Sequence, residues 1–471
     1  MGNRQRAVEL YNQGVSAIND LNNPDRFNHG YRLFANACLA DPTWGEAHYQ
    51  LGNNNHDLNW PLASIAHWRQ ALNCETDITL RAKILSNLAW KLHDLGEVTE
   101  ALECAQASAE LDGSLDMVWV NLSVIHRTLG HLQTSVQCAQ RAFELAPQTA
   151  MNEFALGMAY AFNRQWKLGF KHLESRFAYR LKNYLQYPYP KWIGEEGKHV
   201  YVLADQGLGD TLSFSRFLPA ACARSKHVHA LVQPELLHLF QRAFGHIDNL
   251  TLFATSNQFP PAECWTTFVS LPSALELSGK EIEDAPHFQV DRYDIPVNWR
   301  IPDRRFHVGV CWAGSALNDI DKHRSFSVTE FLELYKVSGI QLYGLQKSKD
   351  NAQLYENGCL ALIWDLTPNI FTVIDTIALI RRLDLVITCE SALAHICALA
   401  GVECWIPYSY LGLDYRIGVT GEHQLWSNHR VFRQGPDRRW KPVFEQISEA
   451  LRERLDAQHR GNVGARILER A

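Results

Sequence analysis

Residues 119–147 read Trp119-Val-Asn-Leu122-Ser-Val-Ile-His-Arg-Thr-Leu-Gly130-His-Leu-Gln-Thr-Ser135-Val-Gln-Cys-Ala-Gln-Arg-Ala142-Phe-Glu-Leu-Ala-Pro147. A large residue, a leucine three positions on, a turn glycine, two small residues and a closing proline punctuate two apolar-periodic segments. That is the pattern of a helical hairpin. It recurs. Thirty-four residues further on stand Leu156-Gly157, Tyr160 and Gly169, and the same distance back stand Leu88, Gly96 and Ala101. Another 37 residues back lie Leu51-Gly52, Trp68 and Ala71, and 34 more reach Phe34, Ala37 and Pro42. One Leu-Gly pair carries no weight, but recurrence in near-constant register does.

The period and its residues are those of the tetratricopeptide repeat. A hairpin of this kind cannot bury its apolar face alone, so neighbours stack into an α-superhelix, expected here over residues 1–180. The periodic apolar positions read as scaffold. Asn87 and Asn121 share one register on the first helix of their units, where side chains usually face the concave groove. They can hold the backbone of an extended protein segment, or they can be solvated polar positions on a helix. Gln50 and Ala155 fill the flanking registers, so the ladder has two rungs.

Near residue 180 the helical period ends in Tyr184-Leu-Gln-Tyr-Pro-Tyr-Pro-Lys-Trp192, a connector rich in proline and aromatics. Short apolar runs then alternate with helical patterns, which predicts parallel sheets. Strands are expected at His199–Ala204, Val228–Val232, Leu250–Phe253 and Thr267–Leu271, with a helix over Thr211–Ala223. After a linker at Asp294–Pro302 a second series is expected, at Phe306–Trp312, Ile340–Leu345, Ala361–Trp364, Leu385–Thr388 and Glu403–Ile406, with a terminal helix near Phe444–Leu455. The expected divisions are 1–180, 195–300 and 303–471. The fold class is therefore α plus α/β: a repeat superhelix followed by two Rossmann-like domains, the GT-B architecture, with a site between the halves at the carboxyl ends of the strands.

Composition limits the function classes. The 471 residues carry 45 Lys and Arg against 51 Asp and Glu, a net charge of −6, which gives no reason to expect nucleic acid or an anionic membrane as partner. The eleven cysteines include no CxxC pair and suit a reducing compartment, so a cytoplasmic location is expected. No signal-peptide core or membrane span is apparent. Arg6 stands where an N-terminal myristoylation signal would need Ser or Thr.

The run Gln206-Gly-Leu-Gly-Asp-Thr-Leu-Ser-Phe-Ser-Arg-Phe-Leu-Pro219 resembles the first motif of bacterial tetratricopeptide-repeat glycosyltransferases, a branch related to the heptosyltransferases (glycosyltransferase family 9-like). Trp166-x-x-Gly169 and Glu174-Ser-Arg176 precede it in the same order. Val310-Cys-Trp-Ala-Gly314, Arg324-Ser325, Leu345-Gln-Lys347, Asp384-Leu-Val-Ile-Thr-Cys-Glu-Ser-Ala-Leu-Ala-His395, Trp405, Asp414-Tyr-Arg416 and Phe432-Arg-Gln434 continue it over nearly the whole chain. The resemblance implies a nucleotide-sugar donor, metal-independent transfer and no cofactor. It departs at Glu390 and Ser391, where the family usually has Asp and Thr.

Asp210 follows Gly207 and Gly209 and opens a helix. It is either an N-cap, which stabilises a helix by about 0.5–2 kcal/mol, or the general base that the resemblance implies. A helix N-terminus keeps such a carboxylate ionised, though it also makes it a weaker base, and glycines there let the backbone approach a ligand. Gln206 belongs to the same cleft loop. The turn Glu390-Ser391-Ala392, between a strand and a helix, can aim N–H groups at a phosphate, or it is an ordinary capped turn. The resemblance implies that it binds the donor, together with His395. Lys322 and Arg324, with His323 between them, can neutralise a leaving phosphate or form a solvated charge run. Gln346 and Lys347, at a strand end, are further donor-binding candidates. Asp414 and Arg416 can pair with each other or contact the donor directly. Asp319-Ile-Asp321 has the form of a metal-binding DxD motif but shows no third ligand, so no metal site is expected. There is no HExxH, Walker loop or nucleophile elbow.

The expected function is sugar transfer, with inversion, from a nucleotide-sugar to a hydroxyl of a protein recruited by the repeats. Two alternatives remain: transfer to a lipopolysaccharide or other glycan precursor, and a binding module without turnover. Self-association into a homo-oligomer is open, as for other repeat superhelices.

Overall fold

The computed structural model describes residues 2–181, 187–254, 260–286, 288, 305–315, 321–419 and 423–468. The expected linker at Asp294–Pro302 and the Asp319-Ile320 pair lie outside the described residues, as does the Tyr184–Gln186 part of the connector. The chain divides into two compact units, Met1–Ala159 and Tyr160–Ala471.

The first unit consists of helices in antiparallel pairs, each pair one repeat: Gly45–Asp57 with Pro61–Cys74, Ile78–Leu95 with Val98–Leu111, and Asp116–Thr128 with Leu132–Leu145. Gly2–Asn19 and Arg26–Ala40 form an earlier pair. Local signals set the ends. Asp77 accepts the Leu80 N–H at 2.7 Å and caps its helix. Gly96 and Gly130 have φ of 87° and 81°, the left-handed conformation that ends a helix cheaply only for glycine. The repeat positions Leu51, Leu88 and Leu122 are all buried, and each contributes about 1.5–3 kcal/mol.

The unit ends at Ala159, short of the expected boundary at 180, because residues 160–180 pack within the second unit. There the Trp166 indole donates to Glu283 at 2.7 Å, and the Phe170 ring meets Phe214 edge to face. Arg176, 3% exposed, reaches Asp205 at 2.9 Å, Ser270 at 2.7 Å and Thr267 at 3.0 Å.

The second unit holds two parallel sheets. β1 (His199–Leu203), β2 (His227–Leu231), β3 (Leu250–Phe253) and β4 (Cys264–Thr267) lie in the order β3-β2-β1-β4. β5 (Phe306–Cys311), β6 (Ile340–Gly344), β7 (Ile363–Asp365), β8 (Leu385–Thr388), β9 (Cys404–Tyr408) and β10 (His429–Arg433) lie in the order β10-β9-β8-β5-β6-β7. Most of these strands are buried along their length, which is why they read as apolar runs without alternation. Under the second sheet Val308, Val310, Trp312, Phe331, Leu342, Ile387, Phe444 and Ile447 share one core.

Three local expectations shift. The strand expected at Thr267–Leu271 is β4, Cys264–Thr267, because pairing with β1 sets Leu203 beside Thr267 and Phe268–Ser270 then turns into a short helix. The helix expected over Thr211–Ala223 is broken into Leu208–Phe214, a 3-10 turn at Ser215–Phe217, and Leu218–Arg224. Pro219 has no N–H to continue the ladder. The terminal helix is longer than expected, Lys441–Leu468. Among the described residues no helix is long and apolar enough to cross a membrane.

Candidate functional site

In each sheet the chain begins on an inner strand, winds outward in one direction, then crosses to the other side. The crossings fall between β1 and β4 and between β5 and β8. At such a point the connections diverge and leave a crevice at the carboxyl ends of the strands. The segment leaving β1 is Ala204–Asp210, and the segment leaving β8 is Cys389–Ala392.

Asp210 sits in the first turn of Leu208–Phe214, whose N-cap is Gly207. The carboxylate is therefore at the third helical position and reaches back, its Oδ2 accepting the Gly207 N–H at 3.0 Å. Its other oxygen lies 3.0 Å from Arg416 Nη1. Burial raises the Asp210 carboxyl above the ordinary carboxylate range; the Asp414 and Asp205 carboxylates add to the rise, while Arg416 and the Gly207 N–H oppose it. A carboxylate held this way is a stronger base than one in water.

Arg416 also grips Asp414, with Nε 3.0 Å from both carboxylate oxygens. Burial would lower the Arg416 guanidinium, but Asp414 and Asp210 outweigh it and hold the cation charged. Asp414 falls below its ordinary value, because Arg416 overcomes the effect of burial. Its charge nevertheless acts on Glu390, whose carboxyl is raised by burial and by Asp414 against the pull of Arg324 and Arg416. Arg324 Nη1 stands 3.3 Å from Glu390 Oε2, and its Nε donates to Asp321 at 3.1 Å. Asp321 further accepts the Ser325 hydroxyl at 2.9 Å.

Ser391 is the N-cap of Ala392–Ala400, but its side chain makes no capping hydrogen bond; its hydroxyl lies 3.1 Å from that of Thr388. Ala392 opens the helix and is half-buried. His395, one turn in, is buried. A Cβ on Gly209 would fall 2.8 Å from its Cδ2 and 3.2 Å from its Nε2. Gly209 therefore provides close approach to His395 itself, where the sequence suggested approach to a ligand. Gly207 is different: a Cβ there would meet only Asp210, at 3.4 Å. His395 is held well below the ordinary histidine range by burial and by the charges of Arg416, His429 and Arg216.

The fold thus brings Asp210, Glu390, Arg324, His395 and the Ser391 turn to facing strand ends, with Arg416 joining Asp210 to Asp414. Other expected residues take different places. Gln346 is buried and structural. Its Oε1 accepts the N–H groups of Trp312 and Ala313 at 3.0 and 2.9 Å, and its Nε2 donates to Ala313 O and Ser348 Oγ. Lys347 is exposed past β6 and makes no hydrogen bond or ion pair among the described residues. Lys322 is exposed on the short helix Asp321–Arg324. Gln206 is exposed, with its carbonyl accepting from Gln233 at 3.2 Å.

In the first unit Asn121 is buried, and its amide nitrogen donates to both the carbonyl and the hydroxyl of Ser86 at 3.0 Å. It stitches one repeat to the next and presents no rung to a groove. Asn87 is half-buried and donates to Asn53 at 3.0 Å. Asn53 lies 34 residues before it, the partner that the Gln50 register overlooked.

Arg216, Trp426 and Asp205 were not singled out from the sequence. Arg216 and Asp205 lie in or beside the quoted motif, but only tertiary contacts give them a role. Trp426 follows Asp414-Tyr-Arg416 without a motif of its own.

The tetratricopeptide repeat family model matches residues 118–149, and the N-terminal unit is a tetratricopeptide-repeat region. Over 466 residues the chain is 22% identical to Protein FlbA of Caulobacter vibrioides, covering 90% of this chain and 75% of that protein. Solved structures with similarity include MamA (16% identity, 34% of this chain and 92% of that one, TM-score 0.29) and YrrB, described as a TPR protein with an unusual peptide-binding site (16%, 38% and 89%, TM-score 0.30). Pseudomonas aeruginosa pilF is a third, at 15% identity over 38% of this chain and 78% of that one, with a TM-score of 0.33.

Proposed function

We propose that residues 160–471 form a GT-B glycosyltransferase that moves a sugar from a nucleotide-sugar to an acceptor hydroxyl by direct displacement. The observation that carries the reading is the meeting of two strand-end segments: Asp210, a carboxylate with raised proton affinity, lies one residue from the Gly209–His395 contact at the Ser391 helix. The strand orders support it, since both sheets follow the doubly wound sequence 3-2-1-4 and the larger one completes it as 3-2-1-4-5-6.

In the proposed step Asp210 takes the acceptor proton as the hydroxyl oxygen bonds to the anomeric carbon. The bond from that carbon to the phosphate oxygen breaks, and the nucleotide leaves with the electron pair. The N–H groups at the start of the Ser391 helix and the nearby Arg324 stabilise the charge that develops there. Neutral His395 can add a hydrogen bond without adding charge. The proposed acceptor is a protein held by the repeat unit, where Trp60 and Trp90 are 43% and 42% exposed and suit protein contact; a glycan precursor is the other acceptor class.

One observation favours a second reading, a binding module without turnover. Asp210 is already ion-paired to Arg416, and a base so engaged must be released before it can act. Incubation with a panel of nucleotide-sugars, in the presence of co-purifying proteins, separates the two. Donor hydrolysis or a mass shift on a protein, lost in Asp210→Asn, supports the transferase. Absence of both with every donor supports the module.

A further inference from the structure

The environment of His395 fixes more than its charge. Its Nδ1 lies 2.9 Å from the indole nitrogen of Trp426. An indole N–H can only donate, so Nδ1 must accept. The ring is then neutral with its proton on Nε2, the atom on the edge that faces Gly209. The Ser213 hydroxyl stands 3.4 Å from the same Nδ1.

Trp426 is itself held in place. The Arg216 guanidinium lies over its ring, 4.3 Å from the centroid. Arg216 Nη2 donates to the carbonyl of Leu425 at 3.3 Å, and its Nε donates to that of Ser213 at 3.2 Å. Arg216 is 5% exposed and has no carboxylate partner among the described residues. Its Nη1 is buried without a hydrogen-bond partner. Burial pushes the guanidinium down to about 9, which still leaves it charged at neutral pH. A desolvated cation costs several kcal/mol unless something compensates it, and here the indole face is one compensating contact.

We propose that Trp426 and Arg216 are positioning residues that lock His395 as the neutral Nε2–H tautomer, so that it offers the cleft a hydrogen-bond donor and not a titrating cation. The use of that donor for a diphosphate rests on the transferase reading; the tautomer lock does not. The titratable groups facing His395 are Arg216, Arg416, His423 and His429, with Asp210 carried on the helix of Gly209. Three of the side chains in this arrangement, Arg216, His395 and Trp426, come from sequence segments far apart, so the arrangement exists only in the folded chain.

The test uses the full chain labelled with 15N-histidine, with His395 assigned by the signal missing from His395→Gln. Wild type is expected to show an unprotonated Nδ1 and a protonated Nε2, unchanged from pH 5.5 to 8. In Trp426→Phe, and more weakly in Arg216→Lys, the signals are expected to move toward mixed tautomers, with a titration entering that pH range. A wild-type His395 that titrates like an ordinary histidine, or that carries its proton on Nδ1, overturns the proposal without any variant. Inorganic pyrophosphate, added to the same samples, reads the donor role. Binding weakened roughly tenfold in Trp426→Phe supports it, and equal binding in both proteins overturns it. If wild type itself does not bind pyrophosphate, the transferase reading fails while the tautomer arm still decides the lock.

Discussion

Arg416 Nη1 lies 3.0 Å from Asp210 Oδ1 while its other nitrogens hold Asp414. One guanidinium thus serves carboxylates from segments about two hundred residues apart in the chain. Asp210→Asn keeps an oxygen for the Gly207 N–H and leaves Arg416 paired with Asp414. We expect the fold to survive and donor turnover to fall by roughly 10²- to 10⁴-fold. Because burial raises the Asp210 carboxyl in the folded state, its contribution to stability is best at low pH. That contribution is lost as pH rises from the ordinary carboxylate range through the raised folded value. Urea unfolding across pH 4 to 8 should show a shallower decline for the Asn variant; parallel curves would contradict the assigned direction.

The Arg324–Glu390 pair predicts a pH-dependent cost. Both side chains are nearly buried, and Glu390 is already raised by burial and by Asp414. Arg324→Met removes the opposing attraction and raises Glu390 further. At pH 7.5 we expect a loss of about 3–5 kcal/mol. As pH falls Glu390 takes up a proton, so part of that loss is recovered at pH 5. Equal losses at both pH values would mean that Arg324 acts through packing alone.

Two glycines separated by a single residue should behave differently. Gly209→Ala places a Cβ 2.8 Å from the His395 ring and is expected to cost about 1–3 kcal/mol. Gly207→Ala meets Asp210 at 3.4 Å, an ordinary contact, from a backbone at φ −75° that any residue adopts. We expect it to change stability by less than about 1 kcal/mol. Thermal and urea unfolding of the two single variants checks this. A cost at Gly207 equal to that at Gly209 would show that the His395 contact is not the reason.

In the repeat region Asn121→Ala leaves the buried Ser86 hydroxyl and carbonyl without their donor. A loss of about 1–3 kcal/mol is expected, measured by urea unfolding of the full chain with near-ultraviolet signals as one probe. Asn87→Ala, half-buried, should cost less. If Asn87→Ala also abolishes transfer to a protein while donor hydrolysis persists, Asn87 contributes to recruitment; Asn121→Ala has no such expected effect apart from its stability loss.

Much of the architecture is legible in local sequence. The 34-residue spacing of Leu88 and Leu122 and the glycines at 96 and 130 set the hairpins, because helix phase and left-handed ends are properties of a few consecutive residues. Apolar runs such as Phe306–Cys311 mark doubly buried strands for the same reason, and their alternation with helices predicts parallel pairing. Strand order, by contrast, depends on which edge each new strand joins, and no residue encodes that alone.

At the site, the sequence by itself determined the chemical types: a carboxylate opening one helix at Asp210, a small-residue turn at Ser391, and a histidine one turn into the next helix. Tertiary structure decided what each faces. It turned Gln346 into a brace and Asn121 into a stitch, because a polar amide that becomes buried must satisfy its hydrogen bonds with whatever backbone lies within 3 Å. It also brought Arg416 to Asp210 and Trp426 to His395. Those pairings depend on desolvation and on distances between segments far apart in the chain, which become definite only when the sheets and helices pack.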